Sequence, residues 1–382
     1  MNTVYITSVA TALPNQPVDN EQMEALLGLA GGRPSRARRL VLKSNGIQQR
    51  YYAIDPDSGE PTHTNAQLTA EAVRGLADAP PIDCLACGTS LPDQLLPNHA
   101  VMVQGELGNP PCEVIATSGV CLAGMTALKY AWLAVASGNH QHAVATGSEL
   151  VSGLMRGHFF AAEAEHRAAS MTTRPEIAFE KDFLRWMLSD GAGALSLQPR
   201  PADRGLSLRI DWIDIRSFAN EIETCMYAGA QKREDGSLLG WAATPWQDWL
   251  PQSVFAIKQD VKLLNDNIVR LTVERLLPDL IAKHTLRAQT IDYFLPHYSS
   301  GFFRQPLYEA MARCGLEIPY QRWASNLVHK GNTGAASIYI MLDELFHSGR
   351  LRAGQTLLCY VPESGRFSSA FMLLTVCRDG DR

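Results

Sequence analysis

Residues 113–137 read EVIATSGVCLAGMTALKYAWLAVAS, and the change of period inside them decides the fold. The first eight residues form a short apolar run with the pattern of a buried strand. From Cys121 onward, small and apolar residues continue to Ser137 with Lys129 as the one charge. A helix that is apolar on most faces belongs in a protein interior. A buried strand, a Ser-Gly turn and a buried helix therefore make an α/β unit with a single cysteine at its junction. A thiol there faces unpaired backbone N–H groups and the positive end of the helix dipole. Both favour thiolate, the nucleophilic form. The same address also suits a cysteine that is only a small core residue, and position alone leaves the two readings level.

Outward from this unit, strand-like and helix-like segments alternate. VYITSVATALP (4–14), IDCLACGTS (82–90), HAVATGSEL (142–150) and LSDGAGALSLQP (188–199) read as strands, and LTAEAVRGLAD (68–78) and LPNHAVMVQGELG (96–108) as helices. The order then recurs. LSLRIDWIDIRSF (206–218) reads as a strand pair, and residues 253–284 as a long helical stretch broken near Pro278. IDYFLPHYSS (291–300) is a strand running into a loop, 303–315 and 336–349 are helices, and 355–377 is a closing pair of strands. Strands alternating with helices predict an α/β fold of packed layers. The repeated order predicts two duplicated halves, 1–200 and 205–382, with a seam at QPRPADRG. Two stretches break the pattern: a charged insertion at 155–183 and a Gly- and Trp-rich one at 227–253. Long irregular loops in compact domains are commonly functional, so both are expected over a pocket.

The chain has 382 residues, 46% hydrophobic and 19% charged, with a net charge of −5. That is a globular composition with no global attraction for nucleic acid. The opening MNTVYITSVA lacks a signal peptide's basic and apolar regions, and no apolar run approaches the ~20 residues of a membrane span. Eight scattered cysteines then predict a cytoplasmic protein with free thiols. Cys84 and Cys87 form a CxxC, but three residues along a strand point to opposite faces, so no metal or redox pair is expected. The remaining cysteines read as packing.

A cysteine nucleophile needs a proton acceptor and a stabiliser for an oxyanion. His297 ends an apolar strand in YFLPHYSS, and His329 and Asn332 stand in the Gly-punctuated loop NLVHKGNTGAAS. Strand tips and loops are where α/β folds carry chemistry, although an Asn in such a loop also suits a turn or cap. His63, His140, His142, His158, His166, His284 and His347 read as surface residues.

With these residues in place, the chain resembles the thiolase superfamily and, within it, the β-ketoacyl-ACP synthase III-like ketosynthases. VYITSVATALPNQPVDNEQM is similar to the opening strand, NGIQQRYYA to the Gly-Ile-x-x-Arg segment, and EVIATSGVCLAGMTALKYA to the nucleophile motif. GSELVS, LSDGAGALSL, LPHYSS and GNTGAAS follow in the family's order. The resemblance implies a five-layer αβαβα fold and a homodimer that needs no cofactor or metal. It implies acyl transfer from a carrier-protein or coenzyme A thioester to Cys121. His297 and Asn332 would then stabilise the enolate of a second thioester in a Claisen condensation. The oxyanion hole would combine the backbone N–H of Cys121 with one from the loop near Arg366.

The departures bear on substrate. A Trp and an Arg hold adenine in coenzyme A-primed members, and Leu40 and Ser44 stand in those places, with Lys43 nearby. Tyr298, Ser299 and Ser300 follow the histidine, and PESGRFSS replaces the Gly-rich C-terminal loop. These features resemble the branch that joins two acyl thioesters and cyclises the product to a cyclohexanedione or dialkylresorcinol precursor. Asp93 is a candidate extra base there, although a turn or helix-cap role suits it as well, and Glu149 reads as structural. Lys258, Lys262, Arg270 and Arg304 are candidates for docking a carrier protein, with a solvated helix face as the alternative. A fatty-acid or polyketide initiator, and an acyltransferase to an alcohol or amine using the same Cys121, remain open beside the condensing reading.

Overall fold

The computed structural model describes residues 2–30, 34–35, 37–77, 80–160 and 183–378. Most of the 155–183 insertion therefore lies outside the described residues. Nine strands form one sheet: β1 (Tyr5–Ala12), β2 (Cys84–Thr89), β3 (Glu113–Ser118), β4 (Ala143–Glu149), β5 (Gly191–Gln198), β6 (Leu206–Ser217), β7 (Tyr293–Pro296), β8 (Thr356–Glu363) and β9 (Ser368–Arg378). Their order is β7-β8-β9-β6-β1-β5-β4-β2-β3.

The order contains the duplication. In the first half β2 runs parallel to β4, β4 antiparallel to β5, and β5 antiparallel to β1. In the second half β7 runs parallel to β8, β8 antiparallel to β9, and β9 antiparallel to β6. The counterpart of β3 is reduced to a parallel bridge between Phe294 and Trp323. The two halves join where β1 meets β6, through Tyr5–Arg209 and Ile6–Leu208. LSLRIDWIDIRS is thus one strand and not the expected pair: Trp212 and Ile210 face Leu373 and Leu374, and Asp211 is the extra residue of a bulge.

Two central helices, α3 (Ala123–Ala136) and α7 (Ser337–Phe346), lie between the halves. Their apolar residues share one core with the inner faces of both, from Leu195 and Leu197 to Leu357 and Cys359. Outside the first half pack α1 (Asn65–Arg74) and α2 (His99–Leu107). Outside the second pack α4 (Val261–Val269), α5 (Leu277–His284) and α6 (Arg304–Arg313). This is the five-layer αβαβα arrangement. Cys84 belongs to the central core and Cys87 to the outer one, the opposite faces that strand period requires.

Glycines set how closely the central layer packs. A Cβ on Gly124 or on Gly147 would lie 2.3 Å from the Ala335 carbonyl oxygen, so only glycine lets α3 and β4 meet the turn that starts α7. The helical stretch breaks just before Pro278, where a π-turn at Arg270–Glu274 separates α4 from α5. Proline lacks the N–H that would bond the Glu274 carbonyl, and its ring crowds that carbonyl. No helix among the described residues is long and apolar enough to cross a membrane.

Candidate active site

Cys121 sits at the turn between β3 and α3, 9% exposed. It lines a narrow cavity of about 30 Å³ together with His297, which follows the tip of β7. The walls are apolar: Leu264 and Ile268 from α4, Phe303 and Leu307 around the start of α6, and Tyr360 from β8. Asn332 is buried and precedes the turn into α7, its Oδ1 accepting the Gly334 N–H at 3.0 Å. The Ala335 carbonyl in that turn packs against Gly124, so the Asn332 loop rests on the first turn of the cysteine helix. Cys121 and His297 thus share one cavity, and Asn332 stands on the loop beside it. His329 is exposed.

The electrostatics differ from what a bare helix end predicts. Burial, then the nearby carboxylates of Glu149 and Glu363, hold the Cys121 thiol well above its ordinary range. A helix dipole contributes ~0.3–2 kcal/mol, whereas full burial moves a pKa by up to ~3–5 units, so burial wins and the resting group is a thiol. Burial alone lowers His297 to about 4. Its imidazole is neutral at physiological pH and able to accept the thiol proton.

Two acidic side chains frame this turn. Glu149 is fully buried at the end of β4, and its Oε1 accepts the Ser90 N–H (3.1 Å), the Ser90 hydroxyl (2.6 Å) and the Ala335 N–H (3.0 Å). Burial raises it to about 7. Glu363 ends β8, and its Oε2 accepts the Val120 N–H at 3.1 Å. The sequence reading treated Glu149 as structural and did not single out Glu363. A bulky acid in place of a Gly-rich loop was the available signal.

The other expected site residues divide. The C-terminal loop reaches the cavity through Pro362 and Ser364, while Arg366 is exposed and its Nε donates to the Ile222 carbonyl at 2.7 Å. Both Asp93 oxygens accept N–H groups at the start of α1, from Asn65 (2.7 Å) and Ala66 (3.0 Å), as a helix-capping residue does. Lys258 corrects the docking set: it is 9% exposed, pairs with Tyr227 in a short ladder and donates to the Ala230 carbonyl at 3.1 Å. Lys262, Arg270 and Arg304 are exposed. Lys262 lies in the first turn of α4, Arg270 directly follows that helix and Arg304 follows Phe303, so all three border segments that line the cavity.

His142 and His99 are buried, against the surface reading of the first and the omission of the second. His142 meets the Ser196 hydroxyl at 2.9 Å, and the His99 Nε2 meets Ser148 at 3.2 Å. On the outer edge of β2 and β3, Cys84, Glu113 and His140 bring ligand-type atoms within 4.8 Å of one another. There His140 Nε2 meets Glu113 Oε2 at 3.0 Å, and burial pushes the Cys84 thiol up to about 12, which leaves a protonated thiol beside that contact.

Comparison with known proteins locates this arrangement. Residues 281–373, which carry His297, Asn332 and Glu363, match the family model of the 3-oxoacyl-[acyl-carrier-protein] synthase III C terminal. A β-ketoacyl-[acyl-carrier-protein] synthase III from Xanthomonas oryzae pv. oryzae is 25% identical over 355 residues, 92% of each chain. Among solved structures, the tetronic acid condensing enzyme AbyA1 superposes with a TM-score of 0.75 at 21% identity, covering 97% of this chain and 99% of its own. Xanthomonas campestris OleA with bound lauric acid and lauroyl-CoA gives 0.73 at 18% identity, covering 98% and 99%.

Proposed function

We propose that this chain, a β-ketoacyl synthase III-like ketosynthase of the thiolase superfamily, loads an acyl group on Cys121 and condenses it with a second acyl thioester. The observation that carries the reading is the shared cavity of Cys121 and His297, with the Asn332 loop packed on the cysteine helix. The neutral His297 imidazole takes the Cys121 proton as sulfur attacks the thioester carbonyl. The same proton leaves with the departing thiol, and the acyl group stays on sulfur. A malonyl thioester loses CO2, or a β-ketoacyl thioester gives its acidic α-proton to the neutral His297, to form an enolate whose α-carbon attacks that acyl carbon and expels the Cys121 thiolate, which is reprotonated from solvent or from His297. His297 and the Asn332 amide donate hydrogen bonds to the enolate oxygen. The Cys121 N–H serves the tetrahedral oxyanion, and the loop around Ser364 and Arg366 supplies the second donor.

A carrier protein is the preferred donor. Leu40 is 64% exposed and, as an aliphatic side chain, offers no aromatic face to an adenine, whereas Lys262, Arg270 and Arg304 present positive charge beside the cavity, suited to an acidic partner. A homodimer is supported by β3, the edge strand of the sheet, whose central residues are only half-buried. Eight free thiols fit a reducing compartment such as the cytoplasm. The proposal extends to ring closure of the joined product to a cyclohexanedione or dialkylresorcinol precursor.

The test is intact-mass analysis after incubation with a panel of acyl-carrier-protein and acyl-coenzyme A thioesters, with and without a β-ketoacyl or malonyl acceptor. Wild type should gain one acyl mass and Cys121→Ala none. Asn332→Ala should load but form at least ~100-fold less condensed product, the scale for loss of one oxyanion donor. Loss of loading in Asn332→Ala would sink the division of roles. Acyl transfer to an alcohol or amine with no new carbon–carbon bond would replace condensation by the acyltransferase reading.

A further inference from the structure

Glu149 and Glu363 occupy equivalent places in the two halves. Glu149 ends β4 and Glu363 ends β8, and these strands correspond in the duplicated sheet order. Each carboxylate crosses to the other half's central helix: Glu149 accepts the Ala335 N–H ahead of α7, and Glu363 accepts the Val120 N–H ahead of α3. Glu363 is held in a fitted cradle. A Cβ on Gly119 would lie 3.1 Å from its Oε2, and a Cβ on Gly365 would lie 3.2 Å from its Oε1. The cradle is fixed from outside by the base of the 227–253 insertion. The Cys225 and Met226 N–H groups bond the Gly365 carbonyl at 2.9 and 3.2 Å, and the Gln259 amide bonds Ser364 at 2.9 Å.

Alternation along β8 sharpens the role. Tyr360, Pro362 and Ser364 line the cavity, so Glu363 points to the other face, at the nucleophile turn rather than at substrate. It is therefore a positioning group and not a catalytic one. We propose that Glu363 is an electrostatic brake on the nucleophile. Seated on the positive end of the Cys121 helix, its carboxylate adds to burial and to Glu149 in keeping the thiol protonated until a bound thioester and His297 draw the proton away. This rests on Cys121 being the nucleophile of the proposed reaction. The titratable groups around the thiol are Glu149 from β4, Glu363 from β8, His297 after β7, and the Tyr298 and Tyr360 phenols across the cavity.

The brake has a chemical use. A standing thiolate would react with any electrophile that reached it, whereas a thiol that ionises only in the substrate complex is selective. Glu363 accepts the Val120 and Leu122 N–H groups, and a Gln side chain removes the charge while its amide oxygen remains as the acceptor.

The experiment is the pH dependence of iodoacetamide alkylation at Cys121, read by mass spectrometry of its peptide so that the other seven thiols do not interfere. Glu363→Gln should shift the profile to lower pH by about one unit, which is about tenfold faster alkylation at pH 7. Glu363→Ala should show the same shift with a lower melting temperature, and Glu363→Asp should restore the wild-type profile in part. An unchanged profile in Glu363→Gln, or slower alkylation, overturns the proposal. Alkylation needs no acyl donor, so a failure here is distinct from a failure of wild type to load acyl groups.

Discussion

Removing the charge of Glu149 should change how stability depends on pH. Burial raises this carboxyl from 4.5 to about 7. A buried acid with a raised pKa is held protonated in the folded chain. Its contribution is therefore complete below its ordinary 4.5 and is lost as pH rises through about 7. A shift of that size corresponds to about 3 kcal/mol, and full burial leaves little solvent screening to reduce it. Glu149→Gln keeps an oxygen for the Ser90 and Ala335 donors on Oε1 and cannot ionise. The variant should match wild type near pH 4.5 and exceed it by up to ~3 kcal/mol at pH 8, or about 4 °C in Tm for a chain of this length. The assay is Tm by differential scanning fluorimetry at half-unit steps from pH 4.5 to 8.5. A constant offset across that range would mean that Glu149 acts by shape alone. A variant less stable than wild type at pH 8 would refute the assignment of Glu149 as a proton-bearing group.

Two further outcomes follow from packing and surface charge. Gly147→Ala places a Cβ 2.3 Å from the Ala335 carbonyl oxygen. Backbone must move, so the variant should lose at least ~1–3 kcal/mol in urea denaturation and, as the Asn332 loop shifts, lose condensed product while still loading an acyl group. Reversing Lys262, Arg270 and Arg304 to Glu should raise the KM for an acyl-carrier-protein donor at least ~10-fold at low salt and leave an acyl-pantetheine donor unaffected, because exposed charges act on encounter.

The layers, and the shared cavity of Cys121 and His297 on which the proposed site rests, were legible because each part has a local signature. A strand has period two, a buried helix lacks charge, and Cys121, His297 and Asn332 each stand at a break in pattern. What was not legible depends on pairing across the chain. Val120 and Glu363 are 243 residues apart, and nothing near either announces the other. Lys258 looks like a surface cation in sequence. It is buried because Lys258–Gln259 pairs with Met226–Tyr227, at the foot of an insertion read only as a loop. The protonation state of Cys121 was misjudged for a related reason. The helix end was visible, but the burial that outweighs it comes from β8, α4 and α6, all more than 100 residues downstream of Cys121.

Duplication also explains why two acids stand beside Cys121. In each half a central helix begins beside the other, and α3 and α7 meet at Gly124 and Ala335. Two helix N-termini in contact present two positive partial charges and several unpaired N–H groups to one dry interior. Left alone, that arrangement repels itself and leaves donors unsatisfied. A carboxyl from the end of the opposite sheet's strand corrects both faults at each helix, through Glu149 at Ala335 and Glu363 at Val120. The correction is not neutral for function, because both carboxyls act on the thiol at the same junction. In the proposed reaction, loading then depends on desolvation of the bound thioester and on His297, and not on a standing thiolate.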